Sequence, residues 1–274
     1  MSSMTFQDSL RVVVERADSL VCVGLDSDVA KLPDGVDQLG FNKAIVDATH
    51  DLVCAYKPNT AFYEARGAEG IQVLKDTCDY IRAVAPDVLI LLDAKRADIG
   101  NTNAGYVQFA YDYLGADAIT LHPYLGREAL EPFLARGDKG AVILCRTSNP
   151  GSGEFQDVLT DGKKVFETVA NSVAREWNTN KNCMLVVGAT YPEEAAAIRQ
   201  IVGDDLWFLV PGVGAQGGSV EATMRAAQNA HGDGLIISSS RDIMFASSGA
   251  DFAEAARAKA KALRSEINTY RKGK

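Results

Sequence analysis

The sequence has little of what disulfide-bonded and membrane-spanning proteins need. Its 274 residues include five cysteines, and no two of them form a C-x-x-C pair. An odd number of cysteines, most of them inside apolar runs, is typical of small core residues in a reduced compartment. No apolar run approaches the ~18 residues of a membrane-spanning helix. The N-terminal segment, MSSMTFQDSL, lacks the basic and then apolar pattern of a secretory signal.

Positive charge is also in deficit, which argues against general binding to polyanions. The chain has 28 Lys and Arg against 36 Asp and Glu, so its formal net charge is −8. Such a chain does not attract nucleic acid or an anionic membrane, although a local positive site can still bind a small anion. We therefore expect a cytoplasmic protein with neither partner. No linker or composition shift divides the chain, which predicts a single domain over residues 1–274.

Eight short apolar runs recur along the chain, with stretches of helical spacing between them. Most runs are almost continuously apolar, as parallel strands buried on both faces are. They are LVCVGL (20–25), LVCAYK (52–57), VLILLD (88–93), DAITLH (117–122), AVILCR (141–146), CMLVVG (183–188), LWFLVP (206–211) and GLIISS (234–239). Eight strand–helix units in about 250 residues predict an α/β fold, the (β/α)8 TIM barrel. An open doubly wound sheet is the alternative. Thr5 and Asp8 have capping-box spacing and predict an extra N-terminal helix.

The third run ends in charged residues, and active sites of TIM barrels lie at this end of the strands. Asp93 and Lys95 are two positions apart, which in an extended strand places both side chains on one face. Lys57 ends the neighbouring run and can reach the same space. With Asp98 these residues form an alternating array whose opposite charges keep one another ionised, and this suits a reaction that moves or removes negative charge. A salt-bridge cluster that closes the barrel mouth is the structural alternative. Arg96, between the inward positions, is expected to point outward.

A glycine-rich loop follows the seventh run and indicates a phosphate site. The segment VPGVGAQGG (210–218) offers backbone amides to an anion. Arg241, after the eighth run, offers a guanidinium that can bind phosphate with two hydrogen bonds. Loops after strands seven and eight are where TIM barrels commonly bind phosphate.

Other kinds of site are poorly supported. Asp26, Asp93 and Asp98 have ligand types that suit Mg²⁺, but Lys57 and Lys95 would repel a cation from the same space. There is no H-E-x-x-H motif among the three histidines and no G-x-S-x-G elbow. Neighbouring carboxylates keep the two lysines protonated, which disfavours a Schiff base. The sequence therefore predicts no metal and no covalent nucleophile.

Four segments, with the strand order also matching, resemble the orotidine 5′-phosphate decarboxylase family, in particular its longer bacterial branch. They are YKPNTAFYE (56–64), DAKRADI (93–99), LCRTSNPGSGEFQ (144–156) and PGVGAQGG (211–218). The resemblance runs from about Gly24 to Arg241. The D-x-K-x-x-D pattern alone is shared with a wider group of phosphate-binding barrels. Its combination with Lys57 and the loop that contains Ser148 makes the resemblance specific.

The resemblance implies decarboxylation of orotidine 5′-phosphate to UMP, the last step of pyrimidine nucleotide synthesis, with no cofactor and no metal. It implies that Lys95 protonates C6 of the pyrimidine and that Asp93 faces the departing carboxylate. Lys57 is implied to orient Asp93 and to touch ribose. A homodimer is also implied, in which Asp98 and Thr102 reach into the partner's site.

The resemblance further implies a set of residues that bind the nucleotide. Asp26 resembles the acid that binds a ribose hydroxyl, and Ser148 resembles the residue that reads the pyrimidine edge. Gln216 resembles the bridge between base and phosphate, and Arg241 resembles the phosphate-binding arginine. Ser240, before it, stands where shorter relatives commonly have glycine. The remaining expected neighbours of the ligand are Asn59 and Gly217.

Two other functions stay open. A magnesium-dependent phosphosugar decarboxylase or aldolase of the same barrel superfamily would share D-x-K-x-x-D. Such enzymes tend to carry a carboxylate where this chain has Lys57. The second alternative is a barrel that binds a phosphorylated ligand without catalysis. The presence of every candidate charge argues against it.

Overall fold

Eight parallel strands close into a barrel in the computed structural model, which describes residues 4–214 and 217–272. The predicted (β/α)8 TIM-barrel fold is confirmed. The strands in chain order are β1 (Val21–Gly24), β2 (Ala55–Lys57), β3 (Leu89–Arg96), β4 (Ala118–Leu121), β5 (Gly140–Arg146), β6 (Leu159–Thr160), β7 (Lys163–Lys164), β8 (Cys183–Val187), β9 (Trp207–Pro211) and β10 (Leu235–Ser239). β6 and β7 form a separate antiparallel hairpin, and the barrel closes where β10 pairs with β1.

Helices connect the strands and cover the outside of the barrel. They are α1 (Phe6–Ala17), α2 (Gln38–Thr49), α3 (Ala61–Glu64), α4 (Gly67–Val84), α5 (Gly100–Val107), α6 (Gly126–Leu134), α7 (Gly153–Gln156), α8 (Val165–Ser172), α9 (Pro192–Val202), α10 (Val220–Ala227), α11 (Arg241–Met244) and α12 (Phe252–Tyr270). Short π-helical segments extend α5 over Gln108–Tyr113 and α8 over Val173–Trp177. Single 3-10 turns occupy Val29–Lys31 and Pro150–Ser152. None of these described helices is long and apolar enough to cross a membrane.

The eight apolar runs correspond to the barrel strands because both sides of each strand are covered. Every residue of β1, β4, β8 and β10 is buried. Two bounds differ from the runs by three residues, since β2 begins at Ala55 and β3 continues to Arg96, and the others agree within one residue. The hairpin β6–β7 and the short helices α7 and α11 were not predicted. They lie in the connections that follow β5 and β10 and lack a periodic apolar face.

The predicted N-terminal helix is present as α1, and it closes the amino-terminal end of the barrel. Thr5 and Asp8 form the expected capping box. Phe6 packs against the start of β5, where a Cβ on Gly140 would lie 2.6 Å from the Phe6 ring. The Gln7 amide donates to the carbonyl oxygen of Cys183 at the start of β8, over 3.3 Å. Because this end is sealed, the carboxyl ends of the strands form the open end of the barrel.

Candidate active site

A cavity of about 510 Å³ opens at the carboxyl ends of the barrel strands. Leu144, Val186 and Leu209 give it an apolar wall on β5, β8 and β9, and polar side chains surround the rest. An apolar surface with a few convergent polar groups is typical of a small-molecule site. The predicted site residues that line this cavity are Asp26, Lys57, Asn59, Asp93, Lys95, Ser148 and Arg241.

Three of the predicted charges form one ion cluster. Asp93 accepts hydrogen bonds from Lys57 Nζ to Oδ2 over 2.7 Å and from Lys95 Nζ to Oδ1 over 2.6 Å. The amide of Asn59 lies 3.4 Å from Oδ2. Asp93 and Lys57 are 7% and 6% exposed, whereas half of the Lys95 side chain remains exposed to the cavity. The cluster therefore presents one accessible ammonium group, that of Lys95, next to the buried ion pair of Lys57 with Asp93.

The cluster holds Asp93 and Lys57 in their charged forms. Burial acts to raise the pKa of Asp93, but Lys57 and Lys95 outweigh it and hold this pKa well below its usual range. Burial acts to lower the pKa of Lys57, but the Asp93 and Asp26 carboxylates outweigh it and raise this pKa above its ordinary value. Both groups are therefore ionised throughout the neutral pH range.

The backbone that places Lys95 is not the regular strand on which its position was predicted. The pairing of β3 with β4 shifts register between Leu92 and Arg96, and Lys95 adopts a left-handed conformation with φ of 45°. The ion pair of Asp93 with Lys95 thus forms across a bulge rather than by simple alternation along a strand. Arg96 points away from the cavity, as expected, and pairs with Glu64 of α3.

The loop after β5 carries Ser148 and rests on a glycine of the neighbouring strand. A Cβ on Gly188 would lie 2.8 Å from Ser148 Cβ and 2.9 Å from its backbone nitrogen, so only glycine leaves room for this loop. Arg146 holds the far side of the loop by donating to Ser152 Oγ over 2.8 Å. Gln156 Oε1 accepts from the backbone N–H of Thr147 over 2.9 Å, and Gln156 also lines the cavity.

Comparison with known proteins identifies the family of this chain. A sequence model of the orotidine 5′-phosphate decarboxylase / HUMPS family matches residues 19–258. The chain belongs to this family. A relative from Cellvibrio japonicus, named orotidine 5′-phosphate decarboxylase, is 49% identical over 275 residues, which is 98% of this chain and 100% of the relative. Another of the same name, from Azoarcus sp., is also 49% identical with the same coverage.

Solved structures agree with this assignment. The structure of Leishmania donovani OMP decarboxylase matches with a TM-score of 0.84 and 38% identity, covering 97% of this chain and 98% of that one. Leishmania donovani UMP synthase matches with a TM-score of 0.85 and 39% identity, covering 97% of this chain but 57% of the synthase. The structural similarity to these proteins therefore extends over almost the whole chain.

The end of the cavity expected to bind phosphate in this family is built from glycine turns and Arg241. Gly212 and Gly214 have φ of 96° and 82°, which other residues rarely adopt, and a bridge between Val213 and Gly218 closes the loop. Arg241 begins α11 beside this loop, and within the described ranges no carboxylate pairs with it. Ser240 fits before it because Gly24 opposite has no side chain: a Cβ there would lie 1.8 Å from Ser240 Oγ.

Asp26 offers an unused acceptor at the same rim. It follows β1 and lines the cavity. Its Oδ1 atom is buried and has no hydrogen-bond donor among the described residues. A buried carboxylate oxygen without a donor is unfavourable unless a ligand supplies one, and a ribose hydroxyl would do so.

Three of the predicted residues, Asp98, Thr102 and Gly217, do not line the cavity. Asp98 lies on the connection after β3, where its Oδ1 accepts from the Ile99 N–H over 2.6 Å, and Thr102 is exposed on α5. Gly217 donates its N–H to the carbonyl oxygen of Gly214 over 2.7 Å and does not line the cavity. Gln216 lies outside the described residues.

Among residues 4–214 and 217–272, no three His, Cys, Asp or Glu side chains are grouped so that they could hold a metal ion.

Thr120 and Gln156 are two of the cavity-wall residues that were not predicted from the sequence. Thr120 of β4 and Gln156 of α7 both line the cavity, and both hydrogen-bond to other residues there. The available signal for Thr120 was its hydroxyl between the apolar residues Ile119 and Leu121, since a polar group inside a buried strand must find partners. No comparable signal marked Gln156, because its contacts depend on how the loop folds.

Proposed function

We propose that this chain decarboxylates orotidine 5′-phosphate to UMP, by electrostatic stabilisation of a carbanion at C6 and its protonation by Lys95. The Lys57–Asp93–Lys95 cluster carries the proposal, because it places a fixed carboxylate and a protonated amine at one wall of the cavity. Family membership and the names of the relatives support the same reaction.

The reaction follows from the charges of the cluster. Asp93, kept ionised by its partners, lies beside the substrate carboxylate. The repulsion between the two negative charges raises the energy of the bound substrate. When the bond between C6 and the carboxylate breaks, CO₂ leaves and the electron pair stays on C6. The Lys95 ammonium stabilises this pair and then transfers a proton from Nζ to C6, which leaves UMP and a neutral amine. Enzymes lower such barriers by ~8–23 kcal/mol, and fixed charges that need no reorganisation supply a large part.

The remaining residues bind the nucleotide around this centre. The base lies against the apolar wall with Ser148 at its polar edge, and Asp26 accepts from a ribose hydroxyl. Lys57 and Asn59 lie beside Asp93 and the sugar. Contacts to the remote phosphate supply binding energy that orients the reacting carbon. In this proposal Arg241 binds the phosphate, Gln216 bridges base and phosphate, and Gly217 is a further neighbour of the ligand.

The active unit in this proposal is a cytoplasmic homodimer with no metal, cofactor, nucleic-acid or membrane partner. Asp98 and Thr102 lie away from the cavity of their own chain, which suits residues that act in the partner's site. The net charge of −8 disfavours polyanionic partners.

The two alternative functions are less well supported. The curated relatives described above are named as decarboxylases of orotidine 5′-phosphate and not as phosphosugar enzymes. The end of β2 carries Lys57, which is paired with Asp93, where a magnesium enzyme would need a further anionic ligand. The fixed Asp93 carboxylate would repel an anionic ligand, which is unfavourable in a protein that only binds.

The test is the ultraviolet absorbance of orotidine 5′-phosphate mixed with the purified protein, with and without EDTA. We expect a rapid change that EDTA leaves unaltered. Lys95→Ala should lower kcat by at least ~10³-fold while UMP still binds, because the phosphate and base contacts remain. Normal turnover by Lys95→Ala would exclude Lys95 as the proton donor. A flat wild-type spectrum would reject the reaction, and loss of activity in EDTA would reject its metal independence.

A further inference from the structure

One hydroxyl group lies at the centre of the bulge that carries Lys95. Thr120 of β4 is 2% exposed, and its Oγ1 atom has three hydrogen-bond partners on β3. It accepts from the backbone N–H groups of Ala94 over 3.0 Å and Lys95 over 2.9 Å. It also lies 3.0 Å from Asp93 Oδ1. A single side chain thus connects the two charged residues of the proposed reaction.

The chemistry of a hydroxyl fixes the direction of these bonds. A threonine hydroxyl has one hydrogen to donate and two lone pairs to accept with. The two backbone N–H groups occupy the lone pairs, so the hydrogen is donated to the Asp93 carboxylate. Lys95 Nζ contacts the same oxygen, Oδ1, over 2.6 Å. Both acceptor positions and the single donor position of the hydroxyl are therefore occupied. An apolar side chain could not make these hydrogen bonds, and an ammonium group could not accept them.

The same contacts explain how the bulge is sustained. Between Leu92 and Arg96 the ladder from β3 to β4 is interrupted, so the N–H groups of Ala94 and Lys95 lack the carbonyl acceptors that regular pairing would give. A left-handed residue other than glycine costs about 1–2 kcal/mol, and it persists only where its surroundings hold it. Thr120 supplies the acceptor that both amides need in the bulged backbone.

We propose that Thr120 is a positioning residue for the decarboxylation, which fixes the Lys95 backbone and the Asp93 carboxylate so that Nζ is aimed at C6. This inference rests on the proposed function and adds a residue to it. Thr120 acts through its two neighbours, and a misplacement of a proton donor by about 1 Å costs about 10²-fold in rate.

Two substitutions separate the hydroxyl from the methyl group. Thr120→Val keeps the shape and removes the hydroxyl, and we expect kcat to fall ~10²-fold while the affinity for UMP changes less than ~3-fold. Thr120→Ser keeps the hydroxyl and should retain kcat within ~5-fold of wild type. If Thr120→Val does not fold, Thr120→Ala takes its place, and its kcat should again lie well below that of Thr120→Ser.

A second buried threonine provides the matched control. Thr223 of α10 is also 2% exposed, and its hydroxyl has no hydrogen-bond partner among the described residues. Thr223→Val should therefore leave kcat and UMP affinity unchanged.

The outcomes distinguish this inference from the proposed function. If wild-type protein does not turn over orotidine 5′-phosphate, the proposed function fails before Thr120 is tested. If wild type is active and Thr120→Val matches its kcat, the positioning role is wrong. Equal losses in Thr120→Val and Thr120→Ser would also overturn it, because the methyl group would then be responsible.

Discussion

At the scale of single residues, Asp93 links the ion cluster to the dependence of stability on pH. Its pKa is held well below the usual value by Lys57 and Lys95, whereas in the unfolded chain it returns to ~3.9. The unfolded state therefore binds more protons than the native state in mildly acidic solution. The ion pairs contribute fully to stability above this unfolded pKa, and the contribution falls as the pH drops towards the native value.

We expect this contribution of Asp93 to the pH dependence of stability to be absent from Asp93→Asn. The difference in unfolding free energy between wild type and variant should narrow by about 1 kcal/mol from pH 5 to pH 3, since only wild type takes up a proton at this site on unfolding. Urea unfolding at the two pH values measures it. A constant difference would mean that Asp93 has an ordinary pKa in the native protein.

The pKa of Lys57 is raised, whereas that of Asp93 is lowered. The pH profile of activity should therefore show no loss between about pH 5 and pH 9 that is caused by titration of either group.

At the scale of elements, the strands were predictable and the details at their ends were not. Continuous apolar runs identify strands buried on both faces, and those strands place Lys57 and Asp93 side by side. The bulge before Arg96 could not be predicted, because it depends on hydrogen bonds to Thr120, which is 25 residues away from Lys95. The same holds for the loop after β5, whose path depends on contact with Gly188.

Gly188 gives a prediction about this loop. In Gly188→Ala the new Cβ would meet the Ser148 backbone at 2.9 Å, so the loop must move and Ser148 must leave its place. We expect KM for orotidine 5′-phosphate to rise ~10-fold or more, with a smaller change in kcat, and stability to fall by about 1–3 kcal/mol. Steady-state kinetics and thermal unfolding measure these effects.

Gly137 serves as the control for this substitution. It precedes β5 at the closed end of the barrel, and a Cβ there would make only an ordinary contact, 3.7 Å from Asn180 Cβ. Gly137→Ala should leave KM and kcat unchanged. If Gly188→Ala also left KM unchanged, the loop could not have the close packing that positions Ser148.

At the scale of the whole molecule, the barrel gathers at one end residues that are far apart in the sequence. This gathering of residues could be predicted from the eight parallel strands alone, because their carboxyl ends meet at one end of the barrel. The same rule could not place Asp98 and Thr102, which lie on the connection after β3 and on α5 outside the cavity. If these residues act in catalysis, a second subunit must bring them to a site.

Subunit mixing tests the shared site directly. Lys95→Ala and Asp98→Asn should each be nearly inactive alone. If Asp98 acts in the partner's site, a hybrid dimer of the two has one site with both defects and one intact site. Random assortment makes half of the dimers hybrids, so the mixture should recover about a quarter of wild-type activity in a symmetric dimer. Mixing Lys95→Ala with Asp93→Asn should recover nothing, because both residues belong to the same subunit's cluster. Failure of the first mixture although hybrids form would place Asp98 in its own chain's site or outside catalysis.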